Sequence, residues 1–134
     1  MGHAIANGVL VGVGGFAGSV ARYGVTLLMQ RHSLVLPVGT LTANLAGCFL
    51  VGCVAQWAVP VLSPEARLLL ATGFCGGFTT LSSAVYETAQ LLREGEYAYA
   101  GGYVILTLAG SFALFFAGAL LMKMVFRGTG GLWS

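Results

Sequence analysis

An apolar segment at residues 68–92 is interrupted at residues 76–83 by the sequence GGFTTLSS. Two adjacent glycines and four hydroxyl side chains make a poor surface against lipid, yet apolar residues flank them on both sides. Inside a membrane, non-helical backbone is tolerated only where it is buried in protein or lines a polar cavity. The interruption is therefore a candidate ion or solute site.

The composition indicates a membrane protein. Of the 134 residues, 57% are hydrophobic and only 7% are charged, whereas a soluble domain carries about 25% charged residues. Apolar spans at residues 4–29, 37–62, 66–92 and 97–124 each exceed the ~20 residues that cross a bilayer. We predict an all-α membrane protein with one integral domain, residues 1–134, and four transmembrane helices, of which the third is broken.

Several other classes of protein are excluded by the sequence. The first span lacks a basic n-region and contains Arg22, so it does not fit a cleavable signal peptide. The chain has no Asp, and its two histidines, His3 and His32, lie near a chain end or in a loop, so an enzyme is not expected. The three cysteines fall inside spans, where packing is their expected role. The net charge of +2 is too small to indicate nucleic-acid binding.

The distribution of positive charges leaves the membrane orientation open. With an even number of spans, both termini lie on one side of the membrane, which then carries Arg67, Lys123 and Arg127, whereas the other side carries Arg31 and Arg93. The positive-inside rule needs a clear excess of Lys and Arg to fix an orientation. Two alternatives remain: a weakly biased single orientation, and dual topology in which copies insert both ways and pair antiparallel.

Small residues repeat at helical spacing, which predicts close helix packing. Glycines one helical turn apart let transmembrane helices approach closely. The pairs are Gly8/Gly12, Gly14/Gly18 and Gly73/Gly77.

Polar side chains inside the spans predict a pathway through the membrane. An unpaired polar group in an apolar medium costs roughly 2–7 kcal/mol, so each needs a partner or contact with water. The groups are Thr40 with Asn44 in the second span, Thr79, Thr80, Ser82 and Ser83 in the third, and the stripe Tyr103, Thr107 and Ser111 in the fourth. Back-bonding of a hydroxyl to its own helix carbonyl is the alternative for any single residue.

The polar groups favour an anion over a cation. Hydroxyl and amide groups donate hydrogen bonds, and we expect no intramembrane carboxylate, because Glu87 lies near one end of its span. Arg22 has two interpretations: it snorkels or bonds exposed helix carbonyls, or it places positive charge at a pore vestibule. Backbone carbonyls at residues 76–79 that lose their helical hydrogen bonds would be suitable ligands for a small cation. The residues thus predict a small-ion pathway, with an anion favoured.

Three motifs resemble the Fluc fluoride channels, also called CrcB. The sequence GGFAG at residues 14–18, followed by Arg22-Tyr23, is similar to their GGxxGAxxRY opening. GTLTANLAGCF at residues 39–49 is similar to their GTLxxNxxGxF helix, and GFCGGFTT at residues 73–80 to their GFCGGxTT break. The motifs occur in the family's order, and the resemblance covers essentially the whole chain.

The resemblance implies an antiparallel, dual-topology homodimer in the bacterial inner membrane. It would export cytoplasmic fluoride passively through two pores and so reduce fluoride toxicity. Backbone carbonyls of Gly76 and Thr79 from both subunits would hold a structural Na⁺ at the dimer centre. The pore residues that the resemblance implies are Asn44, Tyr103, Thr107 and Ser111. Further candidates for the pathway are Thr40, Phe78, Thr80, Ser82 and Ser83, with Arg22 as the candidate at a vestibule.

One departure from the family pattern keeps alternatives open. The family's TTFSTF supplies two phenylalanines, where this chain has Leu81 and Ala84. The chain could therefore be a non-conducting subunit or one partner of an unlike pair. A small multidrug cation exporter is a further alternative, but those proteins carry a Glu in the first helix, which is absent here.

Overall fold

The structure is a computed structural model that describes residues 2–32 and 35–126, with the side chains of residues 57–61 left undescribed. Arg127, one of the charges in the orientation argument, lies outside these residues. Over the described ranges the regular structure is entirely helical. Its helices are α1 (Gly2–Met29), α2 (Val38–Val61), α3 (Pro64–Arg67), a π-helix (Leu68–Cys75), α4 (Gly76–Phe78), α5 (Leu81–Arg93) and α6 (Tyr97–Val125).

Four helical segments of the described chain are long and apolar enough to cross a membrane. α1, α2 and α6 each form one span, and the elements from Pro64 to Arg93 together form the third span of 30 residues. The predicted all-α, four-span membrane architecture is confirmed, and the chain is a multi-pass membrane protein.

Capping residues explain where the third span begins and how the chain turns from α5 into the start of α6. The Ser63 side chain accepts a hydrogen bond from the Ala66 amide at 3.2 Å, and Pro64 occupies the first helical position, a common N-terminal arrangement. After α5, the Glu96 amide donates to the Leu91 carbonyl at 2.9 Å. This Schellman closure needs a left-handed residue, which Gly95 supplies at φ 80°. α6 therefore starts beside α5 and runs antiparallel to it.

α1 packs on the third span through glycines that bring the two backbones into contact. A Cβ added to Gly18 would lie 2.0 Å from the Phe74 carbonyl oxygen, and one added to Gly77 would lie 2.3 Å from that of Gly15. The prediction of close packing is thus confirmed for the pairs Gly14/Gly18 and Gly73/Gly77. At Gly8 and Gly12 added Cβ atoms would meet open space in the single chain, so for this pair close packing stays a prediction.

α2 and α6 run parallel and are joined by a second set of glycine contacts. A Cβ added to Gly52 would lie 2.0 Å from the Phe115 carbonyl oxygen, and the Cys53 thiol donates to the Gly118 carbonyl at 3.6 Å. No side chain separates the backbones here, so the positions of the polar groups on α2 are fixed relative to those on α6.

The third span departs from helical geometry at Thr79 and Thr80, two residues after the glycine pair. Thr79 has φ −91° and ψ 153°, and Thr80 has φ −153° and ψ 115°, so both are extended. Gly76 is itself helical, at φ −63° and ψ −37°. The extended residues lie within residues 76–83, where the interruption is predicted, although Gly76 at the start of that range is still helical. The absence of a side chain at Gly77 allows the backbone of the third span to approach α1 closely.

The glycine contacts predict a matched pair of variants with opposite effects. Gly18→Ala places a methyl group against backbone, which overpacks the contact and should destabilise the fold by roughly 1–3 kcal/mol or more. Gly8→Ala meets open space and should be neutral or stabilising, since Ala is favoured over Gly in a helix by about 1 kcal/mol. Thermal unfolding of the purified variants in detergent measures both. Equal stability of the two variants would contradict the proposed backbone contact.

Candidate functional site

Asn44 of α2 holds the extended backbone between α4 and α5. Its amide nitrogen donates to the Thr80 carbonyl at 3.0 Å, and its amide oxygen accepts from the Thr80 N–H at 2.7 Å. Asn44 is only 5% exposed. A primary amide donates through its nitrogen and accepts through its oxygen, so this one residue satisfies both backbone groups of Thr80. In this structure Asn44 therefore stabilises the extended backbone of the interruption. We call its two hydrogen bonds to Thr80 the brace.

Thr80 also starts α5 and gathers the hydroxyl groups at the interruption. Its Oγ1 accepts from the Ser83 N–H at 3.2 Å, as an N-cap residue does. The same oxygen lies 3.1 Å from the hydroxyl oxygens of both Ser82 and Ser83. Thr79 differs, because its hydroxyl donates to the Cys75 carbonyl of its own helix at 2.9 Å. The back-bonding alternative thus describes Thr79, whereas Thr80, Ser82 and Ser83 form a connected cluster.

Arg22 satisfies a carbonyl at the end of α4. Its Nε donates to the Gly77 carbonyl at 3.1 Å, and the Ser19 hydroxyl donates to the same oxygen at 3.4 Å. A positive side chain at a helix C-terminus is favourable because the last carbonyls carry partial negative charge. The first interpretation of Arg22, bonding to an exposed helix carbonyl, describes this contact.

Glu87 joins the polar groups of three helices and was missed as a site residue. The Thr40 hydroxyl donates to its Oε1 at 2.6 Å, and the Tyr103 hydroxyl donates to its Oε2 at 2.5 Å. Tyr103 is fully buried and Thr40 is 5% exposed. The expectation that no carboxylate lies among the intramembrane polar groups is therefore wrong. The available signal was a lone acid within a span, since such residues face a bundle interior or a cavity and are commonly functional.

Glu87 also lines two cavities that open toward the ends of the helices. One has a volume of about 210 Å³ and is lined by residues of α1, the α1–α2 connection and α2, among them Gln30, Pro37 and Thr40. The other, of about 170 Å³, includes Gln90 and Glu94. Among the described residues no Lys or Arg side chain lines either cavity. Polar side chains at this end therefore connect the Glu87 network to the edge of the span.

A groove between α5 and α6 runs alongside the polar stripe. Its volume is about 300 Å³. Its lining includes Tyr103 and Thr107 of the stripe together with Leu81 and Ala84, the residues that replace the family phenylalanines. The Thr107 hydroxyl oxygen is buried and has no hydrogen-bond partner in the described structure. A ligand or water in the groove could accept a hydrogen bond from this hydroxyl.

Two predicted pathway residues lie elsewhere. Phe78 is 6% exposed and stacks on Phe74 at a centroid distance of 5.7 Å, on the side of the third span that faces α1 and α2. Ser111 is half-buried and does not line the groove. The structure thus forms two polar groups from the predicted residues. One consists of Asn44, Thr80, Ser82 and Ser83. The other joins Thr40 and Tyr103 through Glu87, and Thr107 lines the groove beside Tyr103.

The brace at Thr80 predicts a selective effect of removing Asn44. Asn44→Leu leaves the Thr80 N–H and carbonyl unpaired, a loss of roughly 1–3 kcal/mol for each buried group. Amide exchange of residues 79–84, measured by mass spectrometry, should therefore accelerate. Gln56→Leu is a matched control on the same helix. The buried Gln56 amide oxygen has no partner among the described residues, so its removal should be neutral or stabilising. Equal exchange in the two variants would contradict the brace.

Known proteins match this chain along most of its length. The profile of the family described as CrcB-like protein, Camphor Resistance (CrcB), matches residues 9–119. A protein of Chlorobaculum tepidum named Fluoride-specific ion channel FluC is 54% identical over 120 residues, which cover 88% of this chain and 95% of that protein.

Two further proteins carry the same name. One from Chlorobium phaeobacteroides, strain BS1, is 48% identical over 118 residues, which cover 87% of this chain and 92% of that protein. One from Leptospira interrogans is 44% identical over 121 residues, which cover 86% and 93%. The family profile and these near full-length relatives agree with the motifs and the four-span architecture: the chain belongs to the CrcB family.

Proposed function

We propose that this chain is a subunit of a fluoride channel that lets cytoplasmic fluoride leave the cell down its gradient and so reduces fluoride toxicity. The observation that carries the proposal is the extended backbone at Thr79 and Thr80, braced by Asn44 beside a groove with an unpaired hydroxyl. The proposed location is the bacterial inner membrane. A channel of this kind is not an enzyme, and no covalent step is required of the site.

The chemistry of the groove suits a small, strongly hydrated anion. Fluoride leaves water only if hydrogen-bond donors replace its hydration shell. Thr107 offers a buried hydroxyl beside Tyr103, and the connected hydroxyls of Thr80, Ser82 and Ser83 can turn toward an ion. A hydroxyl proton is free to rotate, so each group can donate to a passing anion and then return to its neighbour. Larger halides would be excluded by a narrow passage.

A second copy of the chain would complete the pathway. Ser82 is exposed and the groove between α5 and α6 is open in the single chain, so polar groups would otherwise face lipid in the middle of the membrane. The near balance of positive charges between the two sides supports dual topology and an antiparallel homodimer. In that arrangement two copies bury each other's hydroxyl cluster and give two equivalent pores.

A structural Na⁺ at the dimer centre fits the backbone around the interruption. The N–H groups that would complete the helical ladder onto the Gly76 and Thr79 carbonyls belong to Thr80 and Ser83. Those N–H groups bind the Asn44 side chain and Thr80 Oγ1 instead. Gly76 is exposed, with open space in front of it. Carbonyl oxygens suit a hard monovalent cation, and two copies would supply four of them. Replacing Na⁺ by a large organic cation should lower the thermal stability of the dimer, and unchanged stability would contradict the site.

The groove beside Leu81 and Ala84 supports a second candidate, a subunit that conducts only when paired with an unlike partner. Ala84 is 5% exposed and leaves the groove without a ring at this position. The partner would then supply the missing aromatic edges. A small multidrug cation exporter is less compatible, because α1 carries no acidic residue.

Ion flux from liposomes separates these functions. Purified wild-type chain alone should release fluoride far faster than chloride, because hydroxyl donors can replace the water shell of the small ion and a narrow passage excludes the larger one. Ion-selective electrodes measure both rates, with protein-free liposomes as the control. Equal rates for the two halides would contradict the fluoride channel. Release that appears only after co-reconstitution with an unlike family member would favour the paired subunit.

A further inference from the structure

A groove on the C-terminal half of α6 has no part in the proposed ion pathway. Its volume is about 330 Å³, and the described residues that line it are Phe116, Ala119, Leu120 and Lys123. These residues recur every three or four positions, so they form one stripe along the helix. The stripe is separate from the polar groups that Asn44 and Glu87 join.

The shape of this groove comes from a small residue between large ones. Ala119 is 5% exposed, whereas Phe116 and Leu120 are 55% and 58% exposed. The Phe116 ring lies edge-to-face on the ring of Phe115 at a centroid distance of 5.4 Å, a favourable aromatic arrangement. Neighbouring side chains therefore hold the aromatic wall of the groove in place, and Ala119 forms its floor.

Lys123 places a positive charge at the end of the groove that lies nearest the membrane edge. It is exposed and lies in the last turn of α6. The helix rises about 10 Å between Phe116 and Lys123, so the groove runs from the edge of the span into its apolar part. A Lys in such a position lays its methylene stem along apolar surface and keeps its ammonium group at the interface. Among the described lining residues there is no acidic side chain.

This order of charge and apolar surface matches a phospholipid. We propose that the groove binds one anionic phospholipid, with its phosphate at Lys123 and the first part of an acyl chain over Ala119, between Phe116 and Leu120. An ammonium group carries three donors, so Lys123 can contact a phosphate oxygen in addition to a protein acceptor. The site lies outside the ion pathway, and the proposal does not depend on fluoride conduction.

Two features of the groove select the ligand. A positive side chain favours a headgroup with net negative charge over a zwitterionic one, whose own cation offsets the phosphate. The apolar stripe favours a lipid over a soluble phosphate, because burial of an acyl chain against Phe116 and Leu120 removes apolar surface from contact with other groups only when a chain is attached.

Native mass spectrometry of the purified chain tests the headgroup preference. The protein is mixed with equimolar phosphatidylglycerol and phosphatidylcholine that carry the same acyl chains. Wild type should retain one phosphatidylglycerol per chain in about fivefold excess over phosphatidylcholine, the factor expected of one Lys near an anionic surface. Lys123→Gln should abolish the excess, and Lys123→Arg, which keeps the charge, should retain it. Arg67→Gln is the matched control, because Arg67 is exposed at the same side of the membrane but does not line the groove.

The apolar part of the groove has its own matched pair of variants. Leu120→Ala removes one wall and should lower retention of the lipid by roughly fourfold for each methylene group that loses its apolar contact. Leu121→Ala should leave retention unchanged, because Leu121 is similarly exposed, at 47%, but does not line the groove. Inorganic phosphate in the buffer should not displace the bound lipid.

Several results would overturn this lipid site. Equal retention of the two lipids by wild type would remove the headgroup preference. The same loss in Arg67→Gln as in Lys123→Gln would mean that charge at the membrane edge suffices without a groove. Equal retention in Leu120→Ala and wild type would show that the groove does not hold the lipid, as when a second copy of the chain covers it. Displacement by inorganic phosphate would assign Lys123 to a soluble anion. Each of these results leaves the proposed fluoride channel untouched, since fluoride efflux is measured separately.

Discussion

The two hydrogen bonds between Asn44 and Thr80 are the interaction on which the rest of the structure depends. A helix in hydrocarbon satisfies its own backbone, so a span can leave helical geometry only where other groups replace the lost bonds. Asn44 replaces both bonds at Thr80, and Arg22 with Ser19 satisfies the Gly77 carbonyl. Because these bonds come from α2 and α1, the interruption exists only in the folded bundle. The third span would not keep it alone.

The glycine contacts make those bonds possible by fixing distances. The backbones of α1 and the third span are in contact at Gly14, Gly18 and Gly77. This contact places Arg22 within hydrogen-bond distance of the Gly77 carbonyl in α4. α2 and α6 meet in the same way at Gly52 and Gly118. Polar groups from different helices are thereby held at fixed positions relative to one another. The large glycine content of the chain is thus used for precision of packing more than for flexibility.

Sequence reasoning predicted the spans, the glycine contacts at residues 14, 18, 73 and 77, and most of the polar groups, because each has a local pattern. It predicted an interruption within residues 76–83 but not which residues of that range are extended, because hydrogen bonds from Asn44 on another helix hold Thr80 in its extended conformation. It also missed Glu87. Position along a span suggested an edge residue, but tertiary contacts with Thr40 and Tyr103 define its surroundings.

The central claim is that an interruption braced by Asn44 is buried against an antiparallel second copy. A cryo-electron microscopy structure of the purified chain in lipid nanodiscs, with Na⁺ and fluoride present, tests it most directly. We predict two copies related by a two-fold axis in the membrane plane, with Thr80 bonded to Asn44 and Ser82 covered by the partner copy. Parallel copies, or a single copy with Ser82 facing lipid and Thr79 and Thr80 drawn into a continuous helix, would contradict the claim.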